Sequence, residues 1–335
     1  MSLTDASPIT QDSTLARLAA PVAQQLAATE TRLGELVPPQ VGRLVATVYQ
    51  HVLTAGGKRL RPLLALLSCQ AAGGDATDCV DRAMALEVLH LSSLVHDDVI
   101  DEASQRRGKP SVRQRWGNRT SILVGDFLLA EVARRLSGEP EQQSLEVIAS
   151  AVSQMCLAEL VEQPADPAEL TEASYFAHIR GKTACLMAAA CEIGAIAANC
   201  SSARQPLTDY GMNLGQAFQI ADDLLDLYGE ASALGKPVLQ DLSARQWTLP
   251  LIHALRSASP SEAQQLSRLL LEAVDDPAAA RQAAEMAEHL GGRRYAEQRA
   301  HELAEQARGA LNDLPDTPAR QSLSELADYV VRRQH

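Results

Sequence analysis

Residues Thr77–Glu102 read TDCVDRAMALEVLHLSSLVHDDVIDE, and this apolar stretch with carboxylates at its end decides the fold. Its periodicity predicts one long helix. The last turn carries Asp97, Asp98 and Asp101, and the first and fifth residues of such a pentad lie on the same helix face, one turn apart. The stretch therefore directs two carboxylates the same way, with a third about 100° round the helix.

A second pentad, with Asp222, Asp223 and Asp226, ends the apolar stretch Leu207–Leu227, which we also predict to be helical. Burying so much like charge is costly unless a cation neutralises it. Two such faces supply the oxygen ligands that suit Mg²⁺, which also shares its coordination with phosphate oxygens. The two pentads therefore predict diphosphate chemistry between helices.

Composition favours an all-α protein, because only 3% of the 335 residues are aromatic while Ala, Leu and Gln are abundant. We find no linker, and therefore expect one domain over residues 1–335, with 1–30 as a variable N-terminal segment. Residues 258–335 form predicted helices without evident chemistry. A net charge of −12 argues against nucleic-acid binding. Six scattered cysteines, expected to be buried, and the lack of a signal pattern or membrane span predict a cytoplasmic protein.

We predict no β-strand, and place the breaks between helices at Pro- and Gly-containing positions. These breaks are Ser137–Pro140, Gln163–Pro167, Cys200–Pro206, Gly229–Pro237, Ser257–Pro260, Asp275–Pro277, Gly291–Gly292 and Leu314–Pro318.

Positive charge is concentrated in two runs, GGKRLRP at 56–62 and RRGKP at 106–110. Glycines let the first run turn tightly, and arginine forks suit phosphate oxygens. Most basic triplets are merely solvated surface, but the second run follows the first pentad closely, which favours contact with one shared anion. Lys182 lies in an apolar stretch, where a lysine without a partner is costly, so a ligand role is favoured over a snorkelled side chain. For His90, phosphate donor and ordinary core histidine are about equally favoured.

With these motifs in view, the chain resembles the trans-polyprenyl diphosphate synthases (isoprenyl diphosphate synthases) over about residues 50–255. GGKRLRP, HDDVID, RRGKP, GDFLLA, KT and FQIADDLLD…LGKP occur in that family's order and spacing. The resemblance implies a single helical bundle of the isoprenoid synthase type I kind, with a deep central cavity, and usually a homodimer. It implies head-to-tail trans condensation of isopentenyl diphosphate with an allylic diphosphate. Three Mg²⁺ would lie between the pentads.

The resemblance also assigns roles residue by residue. The catalytic set would be Asp97, Asp98, Asp101, Lys182, Asp222, Asp223 and Asp226. Of these, the metal ligands would be Asp97, Asp101 and Asp222, with Asp98 and Asp226 as further ligands or supporting groups. Isopentenyl diphosphate would be held by Lys58, Arg61, His90 and Arg107, flanked by Arg59. The allylic diphosphate would be held by Arg106, Lys182 and Lys236, with Thr183 and Gln219 presenting oxygen dipoles to the allylic cation.

Two departures from the family pattern stand out. Arg245-Gln246 occupies the place of a usual Gly-Lys before Thr-Leu-Pro, which removes one phosphate-contacting lysine. Ala158-Glu159 stands where Gly-Glu is common. The first departure weakens the expectation for allylic diphosphate binding but leaves the aspartates intact.

Product length should depend on side chains one turn before the first pentad, since a helical turn rises 5.4 Å, close to one isoprene unit. Ser92 and Ser93 are small where short-chain members commonly have an aromatic residue, and Val88 and Leu89 are the next candidate stops. We therefore predict a long-chain product. The alternative is that the two serines only pack against a neighbouring helix.

Other functions are left open. A short-chain farnesyl or geranylgeranyl diphosphate synthase is the main alternative. A terpene cyclase of the same fold is disfavoured by the second Asp pentad and GGKRLRP, and a non-catalytic partner subunit by the intact aspartates. The apolar product could be passed to membrane enzymes, but the sequence shows no basic amphipathic helix that would bind a membrane surface.

Overall fold

The computed structural model describes residues 12–138, 142–161, 164–229 and 238–332. About 79% of the chain is helical, with almost no strand, which confirms the all-α prediction. The α-helices in chain order are α1 Ser13–Leu18, α2 Ala23–Glu35, α3 Arg43–Leu53, α4 Leu60–Ala71, α5 Val80–Ile100, α6 Val112–Leu136, α7 Gln142–Leu160, α8 Glu172–Ile179, α9 Cys185–Ala197, α10 Ser201–Tyr228, α11 Gln240–Ser243, α12 Leu249–Ser257, α13 Pro260–Glu272, α14 Pro277–His289, α15 Gly292–Ala310 and α16 Pro318–Arg332. Short 3₁₀ turns occupy Ala20–Val22, Ala76–Cys79 and Pro167–Glu169, and Arg180–Ala184 forms a π-helix.

The chain divides into two compact units, described separately here. As far as their residues are described, the first draws on Met1–Ser150, Ala189–Thr208 and Asp313–Leu323, and the second on Ala151–Ala188, Asp209–Asn312 and Ser324–His335. Each unit uses three separate chain segments, so no single linker divides the sequence. The single domain expected over residues 1–335 stays a prediction.

In the first unit, α5 is the central helix and packs against α2, α3, α4 and α6. It is buried on several sides, and residues such as Met84, Leu86 and Leu91 have no exposed surface. Each fully buried Leu or Met contributes roughly 1.5–3 kcal/mol relative to the exposed side chain. Such packing holds the last turn of α5, which carries the first pentad, in a fixed direction.

In the second unit, α12 packs against α8, α13, α14 and α15. The middle of α10, at Gly211 and Gly215, packs unusually close to the backbone around Ala184 and Ala188. A Cβ atom placed on Gly211 or Gly215 would lie within 2.7 Å of the backbone of Ala188 or Ala184. This close approach fixes α10, and with it the second pentad, against the Lys182 segment.

Three expectations need correction. The predicted helix over Leu207–Leu227 is α10, which begins at Ser201 and contains Pro206, so this proline does not break it. Pro206 is the sixth residue of α10, so its missing N–H costs the helix one hydrogen bond, and the 28-residue helix continues through it. The predicted helix over Thr77–Glu102 is a 3₁₀ turn followed by α5, Val80–Ile100.

The second correction concerns strands, since Gln105–Arg106 and Lys109–Pro110 form an antiparallel pair, β1 and β2. The third concerns cysteines, because Cys156 is exposed and Cys200 half-buried, whereas the other four are buried. Across the described ranges, no helix combines the length and apolar character that crossing a bilayer requires.

Candidate active site

The first pentad presents its three carboxylates in three different environments. Asp97 is half-exposed, Asp98 is buried, and Asp101 is exposed just past the end of α5. Asp101 still donates its backbone N–H to Asp97 O (2.8 Å), so the helical geometry continues to it. Arg106 binds Asp98 Oδ1 through Nε (2.8 Å) and Nη2 (2.7 Å). Asp98 is therefore engaged with Arg106, while Asp97 and Asp101 reach accessible space.

Burial raises the pKa of Asp98 above its ordinary value, although Arg106 opposes the shift. A buried carboxylate of this kind is held ionised by its charged partner. The contact also directs the Arg106 guanidinium toward the pentad and leaves other N–H donors of the fork for an anion.

The RRGKP run folds as a two-residue hairpin. Arg107 and Gly108, between β1 and β2, both have positive φ (51° and 74°), as in a type I′ turn. Lys109 Nζ donates to Thr54 O (2.6 Å) and His51 Nε2 to Pro110 O (2.8 Å), which ties the hairpin to the end of α3. These bonds fix the position of Arg106 and Arg107 relative to α3.

The GGKRLRP loop meets this hairpin directly. A Cβ atom on Gly57 would lie 2.5 Å from Arg107 Nη1, so the guanidinium packs directly against the backbone of this loop. Lys58 and Arg61, both half-buried, flank Arg59 in this run. The loop and the hairpin thus bring cationic side chains together within the first unit.

Arg59 has a structural role. Its guanidinium is 3% exposed and binds Glu30 Oε1 (2.7 Å), Glu87 Oε1 (2.9 Å) and Leu53 O (3.3 Å). Its backbone is left-handed, with φ 47°. Arg59 therefore anchors the loop that carries Lys58 and Arg61, and its buried charge is neutralised by two glutamates.

His90 lies in this cationic environment. Burial, and then the charges of Arg61, Arg107 and other arginines, keep the pKa of His90 well below its ordinary value. The imidazole is therefore neutral near pH 7 and able to donate one N–H. The residues expected to hold isopentenyl diphosphate, His90, Arg61 and Arg107, are close enough to interact electrostatically.

In the second pentad, Asp223 and Asp226 accept hydrogen bonds from identified protein groups. Asp223 accepts from Tyr175 Oη (2.5 Å) and Gln219 Nε2 (2.8 Å). Asp226 is 6% exposed and accepts the backbone N–H groups of Gln240 (3.1 Å) and Asp241 (3.0 Å) at the start of α11. Asp222 is half-buried.

Asp223 is the most perturbed carboxyl of the pentad. Desolvation, with the neighbouring charges of Asp222 and Asp226, raises its pKa to about 7, against the opposing hydrogen bonds from Tyr175 and Gln219. Burial also keeps the pKa of Tyr175 well above its ordinary value. Each of these two groups thus remains protonated to a higher pH than it would in water.

The π-helix Arg180–Ala184 carries the KT motif. Such single-turn π segments often occur at functional sites. Thr183 Oγ1 donates to Gln219 Oε1 (2.7 Å), and Lys182 Nζ pairs with Glu159 Oε2 (3.1 Å). The expectation that Lys182 lacks a partner in its apolar stretch is wrong, because the half-buried carboxylate of Glu159 pairs with it.

Two residues of this site were missed from the sequence. Tyr175 precedes Lys182 by seven residues, or about two helical turns, and this spacing was the available signal. In the sequence, Glu159 stood out only because alanine, and not the usual glycine, precedes it; its ion pair with Lys182 was not predicted. Lys236 lies outside the described residues. Arg245 is exposed, with φ 56°.

The residues expected to limit product length lie along α5. Val88, Leu89 and Ser92 are at most 2% exposed, and Ser92 Oγ donates to Gly125 O on α6 (2.9 Å). Ser92 therefore packs against a neighbouring helix, which was the alternative to its lining an open path for the product. Ser93 is half-exposed and shares a face with Asp97. The assignment of these residues to product length stays a prediction.

The aspartates of the two pentads are candidate ligands for a magnesium ion. No group of three or more Asp, Glu, His or Cys side chains within the described chain forms a closed ligand set. Mg²⁺ is commonly bound through one or two carboxylates together with waters and substrate phosphates. The accessible carboxylates of each unit, Asp97 and Asp101 in the first and Asp222 in the second, are oxygen donors of the kind that this mode of binding uses.

A family model described as polyprenyl synthetase matches residues 43–287. The chain belongs to the polyprenyl synthetase family. It is 36% identical to the octaprenyl diphosphate synthase of Escherichia coli (strain K12) over 314 residues, 93% of this chain and 96% of that protein. It is 35% identical to a short chain isoprenyl diphosphate synthase of Methanothermobacter thermautotrophicus over 312 residues, 91% of this chain and 95% of that protein.

Among solved structures, a polyprenyl synthase from Caulobacter crescentus, in complex with calcium and isoprenyl diphosphate, superposes with a TM-score of 0.89. The two sequences are 34% identical, and the match covers 95% of this chain and 98% of that one. This polyprenyl synthetase is therefore an all-α isoprenoid synthase and a trans-prenyltransferase, which condenses isopentenyl diphosphate with an allylic diphosphate.

Proposed function

We propose that the enzyme uses Mg²⁺, three ions per active site, held on the protein side by Asp97, Asp101 and Asp222. Bound Mg²⁺ would supply Lewis-acid stabilisation of charge on the departing diphosphate. The proposal is supported by the accessibility of these carboxylates and by the buried bonds of Asp98, Asp223 and Asp226. The latter three support the pentads by anchoring Arg106, Gln219 and the start of α11.

The two diphosphates would be bound by separate sets of cations. Isopentenyl diphosphate would contact Arg61, His90 and Arg107, together with Lys58, and the convergence of the GGKRLRP loop and the RRGKP hairpin supports this set. Neutral His90 would donate one N–H, and approach of an anion favours its protonation. The allylic diphosphate would be held by Arg106, Lys182 and Lys236.

Prenyl transfer then needs no protein nucleophile. The C–O bond of the allylic diphosphate breaks, its electron pair leaves with diphosphate, and the cation forms at C1. Oxygen dipoles of Thr183 and Gln219 stabilise this charge. The double bond of isopentenyl diphosphate attacks C1, and a proton leaves C2 of the added unit for the departed diphosphate. An apolar cavity excludes water that would quench the cation.

We propose a long-chain polyprenyl product. The observation that carries this is Ser93, a small half-exposed side chain one turn before Asp97, where an aromatic side chain would block the path. Similarity to the octaprenyl synthase agrees, whereas similarity to the short chain synthase keeps that product as the second candidate. We also propose a homodimer, supported by two large apolar side chains exposed on α6, Ile122 (45%) and Leu123 (56%).

The test combines product sizing with one variant. Purified enzyme, Mg²⁺, excess isopentenyl diphosphate and allylic primers of three lengths should yield a ladder ending in a long polyprenyl diphosphate. Asp97→Ala should lower kcat by about a hundredfold or more without unfolding the protein, because a group that stabilises transition-state charge is lost.

Asp81→Ala is the matched control, since Asp81 lies on the same helix and its exposed side chain forms an ion pair with Arg32. A folded Asp97→Ala enzyme as active as Asp81→Ala would refute the metal assignment. Release of diphosphate with a cyclised hydrocarbon, and no elongation, would indicate a terpene cyclase instead.

A further inference from the structure

Tyr175 has no assigned role in prenyl transfer, yet it contacts the second pentad. It lies on α8, is 5% exposed, and donates its hydroxyl to Asp223 Oδ2 at 2.5 Å. Burying a phenol is costly unless the hydroxyl has a partner. Here the partner is a carboxylate that is itself 5% exposed. The pair therefore forms the buried end of a longer hydrogen-bond chain.

The chain continues from Asp223 to the accessible side of the unit. Gln219 Nε2 donates to the second oxygen, Asp223 Oδ1 (2.8 Å), and Gln219 Oε1 accepts from Thr183 Oγ1 (2.7 Å). Gln219 and Thr183 are half-buried, whereas Tyr175 and Asp223 are buried. One end of the chain is thus sealed in the protein, and the other end reaches the KT motif.

The direction of these bonds fixes the amide of Gln219. Both carboxyl oxygens of Asp223 accept a hydrogen bond, Oδ2 from Tyr175 Oη and Oδ1 from Gln219 Nε2, so Gln219 turns its NH₂ group toward Asp223 and its oxygen away from it. Asp223 can hold this amide only if its own carboxyl plane is fixed, and the Tyr175 hydroxyl fixes it from the opposite side. Without that hydroxyl, the carboxyl can rotate and the amide can flip.

We propose that Tyr175 is a positioning residue for prenyl transfer, which acts through Asp223 to keep the carbonyl oxygen of Gln219 directed toward the allylic cation. This rests on the proposed role of Gln219 and Thr183. A flipped amide would present N–H hydrogens, and hence positive charge, where cationic charge develops. Loss of the Tyr175 hydroxyl should therefore raise the free energy of the transition state and lower kcat. It should leave KM for isopentenyl diphosphate unchanged, because different residues bind that substrate.

The test is Tyr175→Phe, with Tyr295→Phe as the matched control. Tyr295 belongs to the same unit and also donates to a carboxylate, Glu172 Oε2 (2.7 Å), but lies outside this chain of bonds. Wild type and both variants are assayed for kcat, for KM with isopentenyl diphosphate, and for thermal unfolding. Tyr175→Phe should lower kcat roughly tenfold or more, as loss of an outer hydrogen-bond partner does elsewhere, with KM unchanged. Tyr295→Phe should leave kcat unchanged.

A merely structural role makes different predictions. It would lower the unfolding midpoint of both variants while leaving the kcat of the folded enzyme intact, and that result overturns the proposal. A cycle with Gln219→Leu is the second readout. If Tyr175 acts through Gln219, adding Tyr175→Phe to Gln219→Leu lowers kcat no further, whereas an undiminished further loss contradicts the mechanism.

If Tyr175→Phe does not fold, Asp223→Asn is the second variant that tests the proposal. The amide keeps the shape of the carboxylate but offers one acceptor oxygen for two donors, so kcat should fall with KM for isopentenyl diphosphate preserved. An unchanged kcat overturns the proposal. The wild-type assay separates the two levels of inference: an inactive wild type refutes the prenyl-transfer role itself, whereas an active wild type with a fully active Tyr175→Phe refutes only the role of Tyr175.

Discussion

Arg245 illustrates at the residue scale how a backbone conformation restricts the choice of amino acid. Its φ of 56° lies in the left-handed region, which costs an L-residue other than glycine roughly 1–2 kcal/mol. The resemblance places glycine here in most family members. The structure therefore gives a physical reason for that glycine, and shows that this chain carries the strain of an arginine instead.

Arg245→Gly should therefore give a more stable protein than Arg245→Ala. Both variants lose the exposed side chain, but only glycine relieves the left-handed strain, and its larger unfolded-state entropy offsets part of the gain. We expect the free energy of unfolding to be about 1 kcal/mol higher for the glycine variant. Urea denaturation of the two proteins measures it. Equal stabilities would mean that the loop relaxes to another conformation when the arginine is removed.

Arg59 is a second residue whose role follows from its contacts. Three neighbouring cations in GGKRLRP suggested phosphate binding for the whole run, with Arg59 at its flank. Glu30 and Glu87, distant in sequence, neutralise Arg59 completely within the protein. Removing one partner of such a buried pair typically costs about 3–5 kcal/mol, so its main contribution is to hold the loop.

At the scale of elements, the π-helix Arg180–Ala184 fits against α7 through small residues. A Cβ atom on Gly181 would lie 2.6 Å from Ala158 Cβ and 3.1 Å from Gln154 O. Ala158 is also the position where the family commonly has glycine. The space between Gly181 and Ala158 thus holds one methyl group, and in this chain that group is the side chain of Ala158 on α7.

Gly181→Ala should disturb the KT motif, because the new methyl group would displace the π-helix that carries Lys182 and Thr183. We expect a destabilisation of about 1–3 kcal/mol from overpacking, and a raised KM for the allylic diphosphate. Ala158→Gly should rescue both properties in the double variant by removing the opposing methyl group.

The control is Gly309→Ala, on α15, where a Cβ atom has nothing within 4 Å. That variant should be neutral or more stable, since alanine favours helix over glycine. Additive effects of Gly181→Ala and Ala158→Gly, with no rescue, would show that the two residues do not share this contact.

The hairpin at 105–110 was missed because its sequence does not alternate and its strands have two residues each. An Arg-Gly pair is a weak signal for a type I′ turn compared with Asn-Gly or Asp-Gly. What stabilises this turn is its attachment to α3 through Lys109 and His51, and these contacts are distant in sequence. Local propensity alone therefore does not predict it.

At the scale of the whole molecule, we propose that product length depends on how far a growing chain can extend beside α5. Ser92 is engaged with Gly125 O, so a bulky side chain there would push α6 away rather than fill an open path. Ser93 shares the face of Asp97 and is half-exposed. The structure therefore shifts the test of product length from Ser92 to Ser93.

Ser93→Phe should shorten the product, because the aromatic ring would stand one helical turn, about 5.4 Å, before Asp97. Thin-layer or mass-spectrometric sizing of the polyprenyl chains measures the distribution. Ser92→Phe, by contrast, should mainly lower the unfolding midpoint. An active Ser93→Phe enzyme with the wild-type product distribution would mean that other residues limit the chain.

Local patterns in the sequence were enough to predict the all-α class, the two aspartate pentads on long helices and the family. These features rest on local periodicity and on motif order, which are readable from neighbouring residues. Those patterns did not reveal that Asp223 binds Tyr175, that Glu159 faces Lys182, or that Arg59 is neutralised by Glu30 and Glu87. These pairings depend on the folded chain, because the partners are 20 to 50 residues apart in sequence. The cost of burying a charge or a hydroxyl depends on which distant group packs against it.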